Sequence, residues 1–249
     1  MIRVSDGRIA GSRYWSQTFA DREARLLWPR VGALTLPGID PGDAWSWTLP
    51  EGVDLHSWLG PARADWVAAS LARRPVMTSV SARLPCNWKV AVDAHSEALH
   101  VPWAHAEVAG HVDAASASFE PLGRHGRIRV PTAAGITEQL FVFPNLHVNL
   151  SAGSEVQVLR HRPDGPRACW VDMQILGPVS ASPSRTAHRT VSPDDPAFGP
   201  VTGADIALLP DVQAGVEARA FPGVRLSPAE PGVAHFHAAL DDALGITPG

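Results

Sequence analysis

The sequence predicts an α+β domain in which a curved antiparallel sheet wraps around a long helix. Three observations carry this expectation. Strand-length runs succeed one another through the middle of the chain, Gly- and Pro-bearing turn signals separate them, and segments of helical period stand at both ends.

From the N-terminus, a helix is expected over about 16–29, then a Pro-, Gly- and Trp-rich stretch over 35–62 without clear period, then a helix over about 62–73. Val76, Thr78, Val80, Ala82 and Leu84 alternate, which predicts a half-buried strand feeding into a helix that starts at Asn87. Residues 116–121 and 128–131 flank Gly123-Arg124-His125-Gly126, the signature of a hairpin. Further strands are expected over 140–148 and 156–160. Pro163-Asp164-Gly165-Pro166 then turns the chain, because Pro presets one dihedral and Gly supplies a positive one, and 168–176 returns as the partner strand. The Pro-, Ser- and Thr-rich stretch 178–203 reads as an excursion able to cover a pocket. Two helices finish the chain. In the last, Val233, Phe236, His237, Leu240 and Leu244 share one face, and Gly245 supplies a C-terminal cap.

Composition narrows the function. With 249 residues and 45% apolar content the chain can bury a sizeable core. Its net charge of -4, with Lys89 as the sole lysine and no basic cluster interleaved with aromatics, argues against a nucleic-acid partner. Residues 1–10 are polar and no apolar run approaches the roughly 20 residues that span a bilayer, so no membrane is expected. Two cysteines without a framework fit a reducing cytoplasm.

The most informative segment is Asn87-Trp88-Lys89 with Asp93, Glu97, His100, Pro102 and His105 after it. On an unbroken helix residues five apart point about 140° away from each other, so the two histidines could not share an ion. Pro102 cannot continue the hydrogen-bond ladder and pushes Val101 out of the helical region, which lets the chain swing His105 back. Asp93, Glu97 and His100 fall at i, i+4 and i+7, a polar stripe that sets acid beside His100. Two imidazoles and a carboxylate are a donor set for ferrous iron that activates dioxygen. On spacing alone, however, the pair reads more simply as surface or packed histidines, since 11 histidines make chance pairs common. Asp205 has a similar double reading: Thr202 with Asp205 three positions on approximates a capping box, and spacing alone favours the cap. His235 and His237, two apart on a helix, read as packing and surface positions, as do His95 and His147, although His147 beside Asn145 could line a cavity.

The run Asn87-Trp88-Lys89 through Glu97-Ala98-Leu99-His100-Val101-Pro102-Trp103-Ala104-His105 resembles the iron-binding segment of the Rieske-type ring-hydroxylating oxygenases, alpha subunit. Gly203-Ala204-Asp205-Ile206 with Gln213 and Gly215 resembles that family's acidic motif. Phe143-Pro144-Asn145 and the tail from Leu226-Ser227-Pro228 to His235-Phe236-His237 are similar to other parts of it. The resemblance implies a helix-grip catalytic domain (START/Bet v1-like) whose cavity between sheet and helix holds the substrate. It also implies His100, His105 and Asp205 as ligands of Fe(2+). Glu97 and Asp93 become the candidate catalytic acids, Glu97 in the place of the acid that links iron to a neighbouring subunit's electron-donating cluster.

Ala94 stands where the family usually has Asn, and Leu99 where it has Tyr, which implies lost hydrogen bonds near the metal and a more apolar pocket. The paired C-x-H and C-x-x-H motifs that hold a [2Fe-2S] cluster do not occur: Cys86 and Cys169 read as small buried hydrophobes. The segment from Ser16 to Trp28 resembles the helix before the Rieske domain, and Gly42-Asp43-Ala44-Trp45 onward resembles the segment on the domain's C-terminal side. The chain therefore reads as a single catalytic-type domain over 1–249, with 1–62 as N-terminal helix and irregular segment, 63–249 as core, and the Rieske domain missing between about 30 and 42.

The expected function is a non-heme iron oxygenase subunit acting on a small aromatic or apolar molecule, with electrons from a separate ferredoxin or Rieske protein. Two alternatives stay open, a donor-independent iron enzyme oxidising an electron-rich substrate and a non-catalytic ligand-binding or partner subunit. Family members commonly form trimers, which implies a homotrimer here.

Overall fold

The computed structural model describes residues 8–40, 45–150, 155–181 and 186–246. Gly42, Asp43 and Ala44, and residues 1–7 of the polar opening stretch, lie outside the described residues.

The N-terminal quarter comprises β1 (Arg8–Ile9), α1 (Gln17–Leu26), β2 (Ala33–Thr35), β3 (Ser46–Thr48), α2 (Leu55–Leu59) and α3 (Arg63–Ala69). Next come β4 (Val76–Leu84), α4 (Trp88–Ala94) and the short α5 (Val101–Ala104) and α6 (Ala106–Ala109). A meander succeeds them: β5 (Ser118–Leu122), β6 (His125–Thr132), β7 (Gly135–Val142), β8 (Leu146–Leu150), β9 (Val156–Pro163) and β10 (Cys169–Leu176). The chain ends with β11 (Arg189–Thr190), α7 (Pro200–Glu217), β12 (Val224–Arg225) and α8 (Pro231–Leu244). Eight strands form one sheet in the order β11-β4-β10-β9-β8-β7-β6-β5, antiparallel throughout except for the parallel edge pair β11-β4. The expected α+β class with a large, mostly antiparallel sheet is what the chain adopts.

Alternation sends each strand's residues to two different environments. On one face, the Arg160 guanidinium meets the Asp172 and Asp40 carboxylates at 2.7 and 2.6 Å and the Leu34 carbonyl at 2.8 Å, while Gln174 donates to the Pro37 carbonyl. The stretch around residues 34–40, without period in the sequence, is thereby pinned as a cover over that face. Asp172 is fully buried, which pushes its carboxyl up, but Arg162 and Arg160 override burial and hold it below the usual range. On the other face Val80, Leu159, Val171 and Met173 join Trp88, Ile206, Leu209 and Phe236 in the main core.

Three local expectations need correction. Residues 140–148 are not one strand: Pro144 cannot donate to a ladder, and Phe143-Pro144-Asn145 forms the turn between β7 and β8. The helix from Asn87 ends at Ala94 and does not reach His100, so the Asp93, Glu97, His100 stripe is not a helix face. Its end has a cause in the side chains: the His95 ring bonds the Ala91 carbonyl at 2.8 Å and the Ser96 hydroxyl donates to the Val92 carbonyl at 2.7 Å, occupying the helix's last carbonyls. Third, α7 starts at Pro200 after Gly199, so Asp205 lies in its second turn and caps nothing.

Candidate metal centre

Three elements deliver the site. Asn87 caps α4 by its side-chain Oδ1 accepting from the Lys89 backbone amide at 3.0 Å, and its own backbone N–H donates to Gln213 Oε1 of α7 at 2.8 Å. Lys89, fully buried, reaches Glu23 of α1 at 2.7 Å, and Trp88 Nε1 donates to the same carboxylate at 3.2 Å. The Asn-Trp-Lys run is therefore the clamp that fixes α4 against α1 and α7. Beyond α4 the chain turns through residues 95–99 and enters α5. Val101 is its first residue and stays helical, contrary to expectation, because Pro102 sits in the first turn where its missing N–H breaks no bond, and His100 and His105 flank this single turn of helix.

His100 and His105 then face Asp205. Asp205 Oδ1 lies 2.9 Å from His105 Nε2 and 3.4 Å from His100 Nε2. The three side chains each offer one donor atom within 4.8 Å of the others, the single such cluster of His, Cys, Asp and Glu among the described residues. Neighbouring donors at about 2.1 Å from a shared six-coordinate ion stand about 3.0 Å apart, which the two N···O separations approach. His105 is fully buried, and neither of its ring nitrogens has an aligned hydrogen-bond partner, a costly state unless a cation takes the lone pair. Glu97 Oε1 bonds His100 Nδ1, which leaves Nε2 to face Asp205. Burial works against charge on His100, but hydrogen bonds to Asp205 and Glu97 raise its pKa to about 10. Burial likewise opposes charge on Asp205, yet the surrounding histidines hold its carboxyl below the usual range. The two carboxylates thus favour positive charge between them. The residues fit a divalent ion with two nitrogens and one oxygen as ligands.

Asp93, a sequence candidate, turns elsewhere. It accepts from the Tyr14 hydroxyl at 2.6 Å and from His237 Nε2 at 3.1 Å. Burial, then the adjacent Asp93 charge, keeps Tyr14 a neutral phenol. His237 is thus a buried polar anchor and not merely a packing residue. Tyr14, the sole tyrosine, gives no signal in the sequence because its partners lie 79 and 223 positions away.

His95 and His147, packing or surface positions by spacing, meet His161 in a buried cluster, with ring centroids 5.0 Å (His95–His161) and 5.7 Å (His95–His147) apart. His95 Nε2 comes within 3.8 Å of Asp205 Oδ2. Burial first, then the neighbouring rings, push His147 far below its ordinary pKa, so it stays neutral. No spacing signal could join these three, since they come from the α4 terminus and two different strands.

A chamber of about 470 Å³ opens on the site, bounded by His100, His105 and Asp205 on one side and by β6 to β9 on the other. A second cavity of about 260 Å³ reaches Glu97, His100 and Asp205 from the side of Tyr14 and Asp93.

The sequence pattern of the ring hydroxylating alpha subunit (catalytic domain) matches residues 71–140 and 137–246. The chain belongs to this family. Its alpha-subunit fold is similar to that of the quaternary ammonium Rieske monooxygenase CntA in complex with inhibitor MMV12, at a TM-score of 0.68 and 14% identity, covering 85% of this chain and 61% of that one. Naphthalene 1,2-dioxygenase from Rhodococcus sp. bound to indole superposes with a TM-score of 0.60 at 13% identity, covering 85% and 66%. Dicamba monooxygenase bound to dicamba gives 0.54 at 10%, covering 86% and 70%. The chain spans about three-fifths of the length of CntA. No curated protein matches it in sequence. Among the described residues, no helix is long and apolar enough to cross a membrane.

Proposed function

We propose that this chain is the iron-bearing catalytic part of an oxygenase, of helix-grip architecture, in which His100, His105 and Asp205 hold one iron(II) ion. The observation that carries the reading is the approach of Asp205 Oδ1 to both imidazole Nε2 atoms, at 2.9 and 3.4 Å, in a buried setting. Bound there, the ion supplies the activation of dioxygen, which no side chain provides.

The residues of the chain do the rest. Glu97 fixes the His100 tautomer and ring orientation through Nδ1. Apolar walls exclude water and receive a small apolar molecule. Cys86 and Cys169, fully buried with their sulfurs 3.8 Å apart, support the reading that they are packing residues and that the electrons come from elsewhere. We assign the electron supply to a separate ferredoxin or Rieske protein, in an assembly such as a trimer. Two observations support an external donor: Glu97 and His100 separate the chamber from the second cavity, and Trp103, three residues after His100, is 89% exposed.

Iron-loaded protein with a reduced ferredoxin and a panel of small apolar compounds should consume oxygen and hydroxylate at least one of them. Glu97→Ala should keep its iron while donor-driven turnover falls at least about tenfold, the usual scale for loss of a residue that orients a metal ligand. Equal oxygen uptake with and without donor would support the donor-independent alternative, and no uptake under any condition would support a ligand-binding role.

A further inference from the structure

The sheet wall of the chamber carries a feature that the metal site does not need. Cross-strand register places Gln139 of β7 directly opposite Asn149 of β8, and Asn149 directly opposite Gln157 of β9. Three amides thus form one continuous row on the face that lines the chamber, at positions where a covered sheet ordinarily places Val, Ile or Leu. Burying an amide costs free energy unless it is hydrogen-bonded. Two of the three are accounted for. Asn149 Nδ2 donates to Gln157 Oε1 at 2.7 Å, and Gln157 Nε2 donates to Thr202 Oγ1 of α7 at 3.0 Å. Donation therefore runs toward α7, and at the other end of the row Gln139 Oε1 is buried with no partner. Its remaining cross-strand neighbour, Ile128, has nothing to offer it.

The charges around the row set a second constraint. The described residues that line the chamber include Glu97 and Asp205 but no Lys or Arg, and branched aliphatics such as Val101, Val112, Ile128 and Val130 make up much of the remaining wall. An anionic group received at the sheet wall would be desolvated with no lysine or arginine there to meet it.

We infer that the chamber takes a neutral, largely apolar molecule bearing one O–H or N–H donor, and that this donor is received by Gln139 at the end of the Gln139-Asn149-Gln157 row. The inference rests on the reading of this chamber as the substrate site of the metal centre. Gln139 becomes a specificity-determining residue: it turns the polar end of the ligand to the sheet and leaves the apolar end toward the histidines.

Three probes of one ring system separate the possibilities: 2-naphthol (donor), naphthalene (no donor) and 2-naphthoate (anion). Their dissociation constants are measured by calorimetry on the wild-type chain, on Gln139→Leu and on the metal-deficient His100→Ala variant, with thermal melts as a check on folding. The wild type should bind 2-naphthol about tenfold tighter than naphthalene, the worth of one hydrogen bond, and 2-naphthoate weakest. Gln139→Leu should bring 2-naphthol and naphthalene together, while Gln139→Asn, which keeps an amide, retains a preference if the leucine variant fails to fold. Equal affinities in the wild type, tightest binding of the naphthoate, or a preference that survives in Gln139→Leu would overturn the inference. Iron content of the same wild-type preparation keeps the failures apart: an intact naphthol preference in a chain that binds no iron would sink the metal reading alone, and stoichiometric iron with no preference would sink this one alone, while a preference kept in His100→Ala assigns it to the amide row and not to the metal.

Discussion

Replacing Glu23 by Gln strikes the clamp that holds α4 and the turn carrying His100. Lys89 Nζ is fully enclosed and its ammonium is 2.7 Å from Glu23 Oε1, whose side chain is 3% exposed. Burial already lowers the Lys89 pKa, and the attraction of Glu23 is what opposes that fall. Glu23→Gln removes the attraction but leaves the buried amine, which must then lose its proton or draw water into the α1-α4 contact. Breaking a buried pair from one side costs about 3–5 kcal/mol. For a chain of this size each kcal/mol lowers the melting temperature by about 2–4 °C, so the variant should melt roughly 10 °C below the wild type. Lys89 is also the sole lysine, which gives a clean reporter: acetylation at neutral pH, read by peptide mass, should leave Lys89 untouched in the wild type and modify it in Glu23→Gln. Replacing both partners, Glu23→Leu with Lys89→Met, should recover most of the loss, since an apolar pair of similar volume removes the unpaired charge. A Glu23→Gln melting point within about 2 °C of wild type, with Lys89 still unreactive, would refute the clamp.

Two further perturbations test how the site is held. A Cβ on Gly232 of α8 would stand 2.1 Å from the Ser96 carbonyl oxygen, inside the turn that leads to Glu97, so Gly232→Ala should displace that turn and weaken iron affinity about 10–100-fold, the range for disturbed support of a ligand; unchanged affinity by competition with a chelator would contradict it. Acid should destabilise the fold before carboxylates titrate. His125 accepts from the Phe143 amide at Nδ1 and donates to the Trp58 carbonyl from Nε2; burial, joined by the Arg124 and His235 charges, lowers its pKa to about 4 against the opposing Trp58 bond. The unfolded chain binds that proton near pH 6.5, the folded chain only near 4, so stability falls as pH drops between them, by about 3 kcal/mol for this group. His147 and His161, lowered chiefly by burial, act in the same direction. Denaturant midpoints that stay flat from pH 7 to 4.5 would contradict this.

Local rules read much of the fold from sequence. The period of two in β4, the turn at Pro163-Asp164-Gly165-Pro166 and the face of α8 arise from backbone geometry and apolar spacing, and all three stand where expected. The end of α4 did not, because His95 and Ser96 stop it by bonding carbonyls that periodicity counts as helical. The turn at Pro144 was lost in an apolar run continuous across it. Of the site, the two histidines around Pro102 and the distant Asp205 came through family resemblance, and the geometry that joins them depends on α7 crossing α4. Long-range features stayed hidden: the Tyr14-Asp93-His237 contact, the three-histidine cluster, and the amide row, which needs strand register before Gln139, Asn149 and Gln157 become neighbours.

The most direct measurement is the iron content of the purified chain after anaerobic loading and removal of loose metal, set beside His100→Ala and Asp205→Ala. The account predicts one iron for each wild-type chain and little or none in either variant, with melting profiles showing both variants folded. Wild-type protein that retains no stoichiometric iron, or an Asp205→Ala chain that keeps it, would contradict the claim that these three side chains form one metal site.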